Sequence, residues 1–338
     1  MKISRFNKFS LFFLATLIVI LILVKFSELE EIIKLVRQTN WLFIGIAIFF
    51  QSLTYFALAG LYKAVLKILQ HSISFKKLSK LAVASTFLNQ MLPSAGLVSL
   101  TLITSSLKKE KIDKSESTLT AVVGFILIGS IYLCCLIVSI TYLLLYIEIN
   151  KTEALVLAAI LVLTIVIIFC LVYLLRHKKT FYALAGLLSR IVNRVARIFN
   201  NGEYIREQEI IFFVDGFFLG IQTITKNKKR LIVPCILAAL FFFSDIFTIF
   251  FIFLSFGLQL NLGIIIIGSV LADALGFAVA VPTSLGVFEV SMAGIYSTLG
   301  VPLASAVFAT LMYRAVSFWL PIPIGFLFYR NLIKEKKK

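Results

Sequence analysis

The chain has 338 residues, 60% of them hydrophobic and 14% charged, with a formal net charge of +17 and a mean hydropathy of +1.03. That balance excludes a soluble globular domain and is the composition of a polytopic membrane protein. It also removes the nucleic-acid reading of the charge, because the lysines and arginines gather in short links between apolar runs, where positive-inside bias places them.

A spanning helix needs roughly 20 apolar residues, and the candidate runs are 9–26, 41–66, 81–107, 118–147, 154–175, 231–256, 262–281, 285–300 and 303–329. The first follows a basic lead (Lys2, Arg5, Lys8) like that of a signal peptide. KFSELEE follows it, however, where a small-residue cleavage site would stand. It is read as a retained span that starts in the cytoplasm. The link with Glu28, Glu30 and Glu31 is charge-balanced and suits the outside, and Lys63, Lys67, Lys76, Lys77 and Lys80 bring the chain back in.

The third run breaks the alternation. Those lysines flank one end, Lys108, Lys109, Lys111 and Lys114 flank the other, and Asn89, Gln90, Pro93, Ser94 and Gly96 lie at its centre. Residues 81–92 as a helix rise about 18 Å, short of a ~30 Å hydrocarbon core. A re-entrant helical hairpin from the cytoplasm satisfies both facts. Its polar tip is tolerable only where protein or a wet cavity surrounds it.

Run 118–147 then goes out and 154–175 returns. The segment 176–230 carries eleven Lys/Arg against four acidic residues, so it is cytoplasmic. Within it Leu184, Leu187, Leu188, Ile191, Val195 and Ile198 recur at helical spacing, opposite Arg190, Asn193, Arg194 and Arg197. That is a basic amphipathic helix suited to an anionic inner leaflet; the alternative is a solvated helix docked on the protein. Stretch 210–225 is short and interrupted, and is assigned to the interface or to a cover over the bundle. Run 231–256 goes out, 262–281 and 285–300 form a second hairpin entered from outside, and 303–329 ends inside at Arg330 and a lysine tail. Cys134, Cys135, Cys170 and Cys235 lie in apolar runs without metal-ligand spacing.

The two interruptions resemble each other: MLPSAGLVSL at 91–100 and VPTSLGVFEV at 281–290. Paired Pro/Gly breaks in matching places of two halves point to the binding site of an inverted-repeat transporter. After each break a new helix begins with unpaired N–H groups and partial positive charge, which suits an anion such as phosphate. Ser94, Thr283 or Ser284 can cap that helix or donate to ligand oxygens. In the alternative, Pro and Gly only kink packed helices.

Asp245, Asp273, Glu289 and Arg314 fall in or near apolar runs, where an isolated charge costs roughly 2.5–3.5 kcal/mol near a helix centre and demands a partner or a wet cavity. Glu289 is the first candidate partner of Arg314, and Asp273 competes with it. Arginine's planar fork suits a phosphate diester or a carboxylate. In the functional reading Arg314 holds a lipid phosphate while Asp245, Asp273 and Glu289 gate it or take a proton. In the structural one the pair only locks helices.

From Ala280 to Tyr329, P-T-S-L-G-V-F-E, then G-V-P, Y-R, W-L-P and G resemble the closing signature of the lysylphosphatidylglycerol synthase transmembrane family. N-Q-M-L-P-S-A-G at 89–96 resembles its earlier motif. That family includes the flippase half of bacterial multiple peptide resistance factors. The resemblance implies lipid movement across a bacterial or archaeal membrane, with Pro282, Gly286, Glu289 and Arg314 among the matched positions. The chain ends eight residues after Arg330, so the expectation is that the aminoacyl-transferring domain of full synthases is absent. The first motif continues as GLVSLTLI, without the charged residues that follow it in many relatives.

The expected fold is therefore an all-α polytopic membrane protein of six full spans plus two re-entrant or broken hairpins, arranged as inverted repeats. Residues 1–330 form one integral membrane domain, and 331–338 a basic cytoplasmic tail. The expected substrate-binding residues are Asn89, Pro93, Ser94, Gly96, Pro282, Thr283, Ser284, Gly286, Glu289 and Arg314. The expected activity is a non-enzymatic flippase in the cytoplasmic membrane, both termini inside, moving an anionic or polyprenyl-phosphate-linked lipid with no cofactor and no metal. Without a nucleotide-binding motif, movement runs downhill or on an ion gradient. Rival readings are an intramembrane lipid-linked transferase and a scaffold that recruits a cytosolic glycosyltransferase or synthase through 176–230. Membrane lipids are the expected partners, nucleic acid is not, and a homo-oligomer is left open.

Overall fold

In a computed structural model, residues 26–91, 97–146, 151–199, 207–278 and 286–334 are described, and nearly all of them are helical. In chain order the helices are α1 (Phe26–Gln38), α2 (Trp41–Ile68), α3 (Phe75–Met91), α4 (Leu97–Lys108), α5 (Lys114–Tyr146), α6 (Lys151–Arg176), α7 (Lys178–Phe199) and α8 (Glu207–Lys226). A short 3-10 turn (Lys228–Leu231) leads into α9 (Ile232–Ser255). Then come α10 (Leu262–Ala278), α11 (Val287–Thr298), α12 (Leu303–Arg314), a π-turn (Ala315–Trp319) and α13 (Pro321–Lys334). Among the described residues four helices are long and apolar enough to cross a membrane: Trp41–Ile68, Lys114–Leu145, Lys228–Ser255 and Leu303–Ile333. A fifth candidate, Leu161–Arg176, bends by 105° into Lys178–Leu187. The protein is an all-helical, multi-pass membrane protein. Run 9–26 lies outside the described residues.

The antiparallel pair α2 and α9 sets the frame. Asn40 caps α2 by accepting from the Leu42 N–H at 3.0 Å, and its own N–H donates to the Ser255 carbonyl at the end of α9, 2.6 Å away. Further along, Thr248 lies against the Ala47 carbonyl, and Gly60 admits the Leu237 side chain where any Cβ would stand 3.1 Å from it. Asn40 is thus at one end of the molecule and Ile68 at the other.

Two antiparallel helix pairs, α3 with α4 and α10 with α11, stand where the hairpins were expected, and their open ends lie at opposite ends of this frame. At the Ile68 end, Lys77 at the start of α3 pairs with Glu110 just past α4, and His71 lies 2.8 Å from Glu116. Helices α3 and α4 therefore run antiparallel and start and finish together. At the Ser255 end, the Tyr296 hydroxyl, late in α11, donates to the Ile265 carbonyl, early in α10, at 2.9 Å. Four turns at these two ends use a left-handed residue closed by a six-to-one backbone bond. Gln70 and Lys111 supply it at the first, Gly257 and Gly300 at the second.

Two sequence expectations shift, and one that was left open is decided. The first hairpin arm begins at Phe75 rather than 81, so its 17 residues rise about 26 Å; pairing with Glu110 lets Lys77 sit inside the helix. The acidic segment after residue 26 is a helix rather than a link, because Ile32 and Leu35 pack against the core. Stretch 210–225 belongs to α8, a cover laid over α5. Val214 and Phe217 are buried, and Gly216 and Gly220 bring the α8 backbone close to Ser115 and Leu119.

Helix α7 docks through its first turns. Phe181 stacks on Phe217, the Tyr182 hydroxyl donates to Asp215 at 2.6 Å, and Lys178 pairs with Asp215 at 2.6 Å. Leu184 and Leu187 stay exposed. The amphipathic helix is thus anchored on the protein and still turns apolar residues outward.

The buried apolar residues form two clusters. One joins the second half of α2, the first hairpin, α8 and Phe318; the other joins the start of α2, the end of α5, α9, the second hairpin and Tyr313. The last span passes from one to the other between Tyr313 and Phe318, and Arg314 stands at that seam.

Candidate functional site

The site is built where α11 begins. Gly286 has φ +84, a left-handed conformation that glycine adopts without steric cost. It turns the chain into a helix whose third residue is Glu289. Glu289 Oε2 reaches back to accept from the Gly286 N–H at 2.7 Å, the return half of a capping box. The carboxylate also sits in the first turn, where the helix dipole favours negative charge. Local sequence therefore fixes where this acid points.

Its other oxygen faces the last span. Glu289 Oε1 lies 2.7 Å from Arg314 Nε, and the two side chains are only 6% and 14% exposed. The contact is a charge contact rather than an aligned fork: among the described residues neither Glu289 Oε1 nor Arg314 Nε makes a hydrogen bond of good geometry, and the buried Arg314 Nη2 has no partner. The guanidinium is held instead by aromatic faces, 4.1 Å from the Phe288 ring centre and 5.5 Å from that of Phe318. Desolvated cation–π contacts of this kind contribute about 2 kcal/mol each. Arg314 is a clamped cation with donors to spare.

The first hairpin reaches the same span from the other side. After Arg314 the helix widens into the π-turn, with the Leu320 N–H bonded to the Ala315 carbonyl at 2.9 Å. Gln90, at the inner end of α3, donates from Nε2 to the Ser317 carbonyl at 3.0 Å. Glu289 and Gln90 thus touch the last span three residues apart, about 5 Å along its axis. Single-turn π-bulges recur at functional sites because they displace one residue's backbone groups.

Behind this point lies an acid and phenol layer. The Tyr313 hydroxyl donates to both oxygens of Asp245, at 2.9 and 3.0 Å, and its ring stacks on Phe288 at 6.0 Å. Asp273 lies close to Tyr132 and within electrostatic reach of Asp245 and Arg314. Among the described residues Tyr313 supplies the only hydroxyl bonded to the Asp245 carboxyl, so Tyr313→Phe is expected to cost about 1–3 kcal/mol. Chemical denaturation in detergent measures it, and an unchanged midpoint would show that this bond holds nothing.

Of the residues expected from sequence, Gly286, Glu289 and Arg314 come together, with Asp245 joined through Tyr313. Arg314 takes Glu289 rather than Asp273 as its ion-pair partner. Asn89 is exposed, one residue from the contact that Gln90 makes. Pro93, Ser94, Gly96, Pro282, Thr283 and Ser284 lie outside the described residues. The sequence reading did not assign roles to Gln90, Phe288, Tyr313, Ser317 or Phe318. Two of them sit beside residues it did assign, Phe288 before Glu289 and Tyr313 before Arg314, and an aromatic next to a membrane charge was the available signal.

The description "Lysylphosphatidylglycerol synthase TM region" fits residues 12–325 as a family model. The chain belongs to this family. Lysylphosphatidylglycerol synthase TM regions are membrane domains, and both hairpins and the Arg314 seam lie within the matched residues. Two archaeal relatives, each named a UPF0104 membrane protein, align along the chain. The one from Pyrococcus horikoshii is 26% identical over 314 residues, 90% of this chain and 92% of the relative. The one from Methanocaldococcus jannaschii is 26% identical over 352 aligned positions, with both chains fully covered. A third, from Methanothermobacter thermautotrophicus, is 32% identical over 110 residues, 32% of this chain and 33% of its own length.

Proposed function

We propose that this family member is a lipid transporter that moves an anionic or polyprenyl-phosphate-linked lipid between leaflets, without chemistry on the lipid. The observation that carries this reading is the convergence of two oppositely opened hairpins on Arg314 and Ser317 of one span. Inverted repeats of this kind, with half-helix ends meeting near the bilayer middle, are the architecture of alternating access. In this reading the hairpins are the two repeat elements and both termini are cytoplasmic.

Arg314 does the binding work. Its unused Nη2 donor offers a bond to a phosphate oxygen, and charge-assisted bonds of this type are about twice as strong as neutral ones. Glu289 holds the guanidinium when no headgroup is present, which spares an isolated buried charge. A phosphate then competes with Glu289 for the same cation. The misaligned Nε contact supports that exchange, since a fully made fork would resist it. Acyl tails stay in lipid while the headgroup crosses the seam between the two apolar clusters.

Reconstituted vesicles with a fluorescent phospholipid and dithionite quenching test this. Wild type exposes inner-leaflet lipid, and the Arg314→Ala, Glu289→Gln double variant slows exposure at least tenfold, since one lost charge-assisted contact of about 1.5–3 kcal/mol corresponds to that or more. Equal rates in wild type, double variant and empty vesicles would dismiss transport as the activity.

A further inference from the structure

Arg314 is not the only unmatched polar group at the seam. Gln90 spends its amide nitrogen on the Ser317 carbonyl, and its buried Oε1 has no hydrogen-bond partner among the described residues. The amide cannot be turned round to relieve this, because the Ser317 carbonyl accepts only and demands the nitrogen. The acceptor is therefore fixed in place by the bond on its other side. Buried polar atoms are nearly always paired in native proteins, so each exception asks for an explanation.

Glu289 Oε1 and Arg314 Nε face each other, and the two unmatched atoms that remain at the seam are complementary. Arg314 Nη2 is a buried donor and Gln90 Oε1 a buried acceptor. They belong to opposite hairpin contacts on one span, at positions 314 and 317. A phosphodiester that ends in a plain alkyl group satisfies the donor and leaves the acceptor unmatched. A quaternary ammonium headgroup does the same, because it has no N–H or O–H to give. A phosphodiester whose alcohol carries a further hydroxyl or amine satisfies both.

We infer that Gln90 is a specificity-determining residue, and that the site selects a lipid phosphodiester with a hydrogen-bond donor in its headgroup. This rests on the transport reading and deepens it. Sites built to hydrogen-bond a substrate group reject analogues that lack it far more strongly than apolar pockets reject a change of size, because the site's own polar atom is left unpaired. Net charge is not the discriminating property here.

The deciding comparison is between phosphatidylglycerol and phosphatidylmethanol of identical acyl chains. Both are anionic phosphodiesters, and only the first has free headgroup hydroxyls. Binding to the detergent-solubilised full chain is read from ligand-dependent melting temperature, and movement from vesicles doped with each lipid. The expected result is about tenfold tighter apparent binding and faster movement of phosphatidylglycerol, the fold-change of one unmade buried hydrogen bond. Phosphatidylethanolamine ranks with phosphatidylglycerol, and phosphatidylcholine with phosphatidylmethanol. Gln90→Leu brings the two anionic lipids together. Equal binding and movement of the two by wild type overturns the inference while leaving transport standing, and needs no variant to fold. Gln90→Leu with an undiminished preference overturns it as well. If wild type neither binds nor moves any of the four, the transport reading falls and takes this inference with it.

Discussion

Arg314→Ala is expected to melt at a lower temperature than Arg314→Ala combined with Glu289→Gln, although the double variant alters more atoms. The single change strands a carboxylate that is 5% exposed, and removing one partner of a buried pair typically costs about 3–5 kcal/mol. Neutralising Glu289 removes that charge. Glutamine also keeps the local structure, because its carbonyl still accepts from the Gly286 N–H as Glu289 does at 2.7 Å. About half of the loss should therefore return. Detergent-phase melting of the wild type, the two single variants and the double variant closes the cycle. If the double variant melts at or below Arg314→Ala, the pair is not electrostatically coupled and the clamp on Arg314 is aromatic alone.

The second large effect is expected at Gly268, which faces the ring of Tyr296. A Cβ there would stand 2.3 Å from Cε1 and 2.5 Å from Cζ of that ring. The ring has nowhere to go: Tyr296 is 0% exposed, its hydroxyl is tied to the Ile265 carbonyl at 2.9 Å, and Phe253 meets it edge-on at 5.0 Å. Overpacking usually costs about 1–3 kcal/mol, and Gly268→Ala belongs at the top of that range because backbone and a pinned ring collide. The second hairpin should splay at its open end and lipid movement should fall with it. Gly294→Ala in the same hairpin is the control. Its Cβ meets nothing within 4 Å, and alanine favours the helix by up to about 1 kcal/mol over glycine. A Gly268→Ala protein as stable as the control would mean that α10 and α11 are not packed through Tyr296.

The two substitutions probe different layers of the same arrangement. Gly268 keeps the second hairpin closed where it leaves the bundle, and Glu289 aims its inner end at Arg314. A hairpin that opens at Gly268 loses the register that brings Glu289 within 2.7 Å of the guanidinium. Gly268→Ala should therefore also weaken the advantage of the Arg314, Glu289 double variant over its parent. Sites this close are not expected to add independently.

Much of this was legible in the residues themselves. Apolar length alone yields the four long spans, because lipid forces a helix to satisfy its own backbone. Charge placement gave the first hairpin: lysines at both ends of 81–107 cannot sit on opposite sides, and Lys77 and Glu110 do meet. The Gly286 turn and the reach of Glu289 back to it are local chemistry over three residues, although the sequence analysis looked for the cap at Thr283 or Ser284. Other features were less legible. Glu289 stood ahead of Asp273 as the partner of Arg314, and the packing of α11 on α12 made that pair. The π-turn at Ala315–Trp319 stands just before Pro321, which has no N–H to bond the Ser317 carbonyl, a signal the sequence analysis did not use. The role of Gln90 depends on a backbone carbonyl 227 positions away.

Sequence by itself determined that this is a helical membrane protein with two polar interruptions and a few buried charges, because hydrocarbon penalises each exposed polar group wherever it lies along the chain. Only the tertiary structure decided that Gln90, before one interruption, and Glu289, after the other, touch the same last span. That depends on which helix faces which, and helix pairing in lipid is set by close packing at positions such as Gly60, Gly268 and Gly325 rather than by hydrophobicity, which every face of these helices shares.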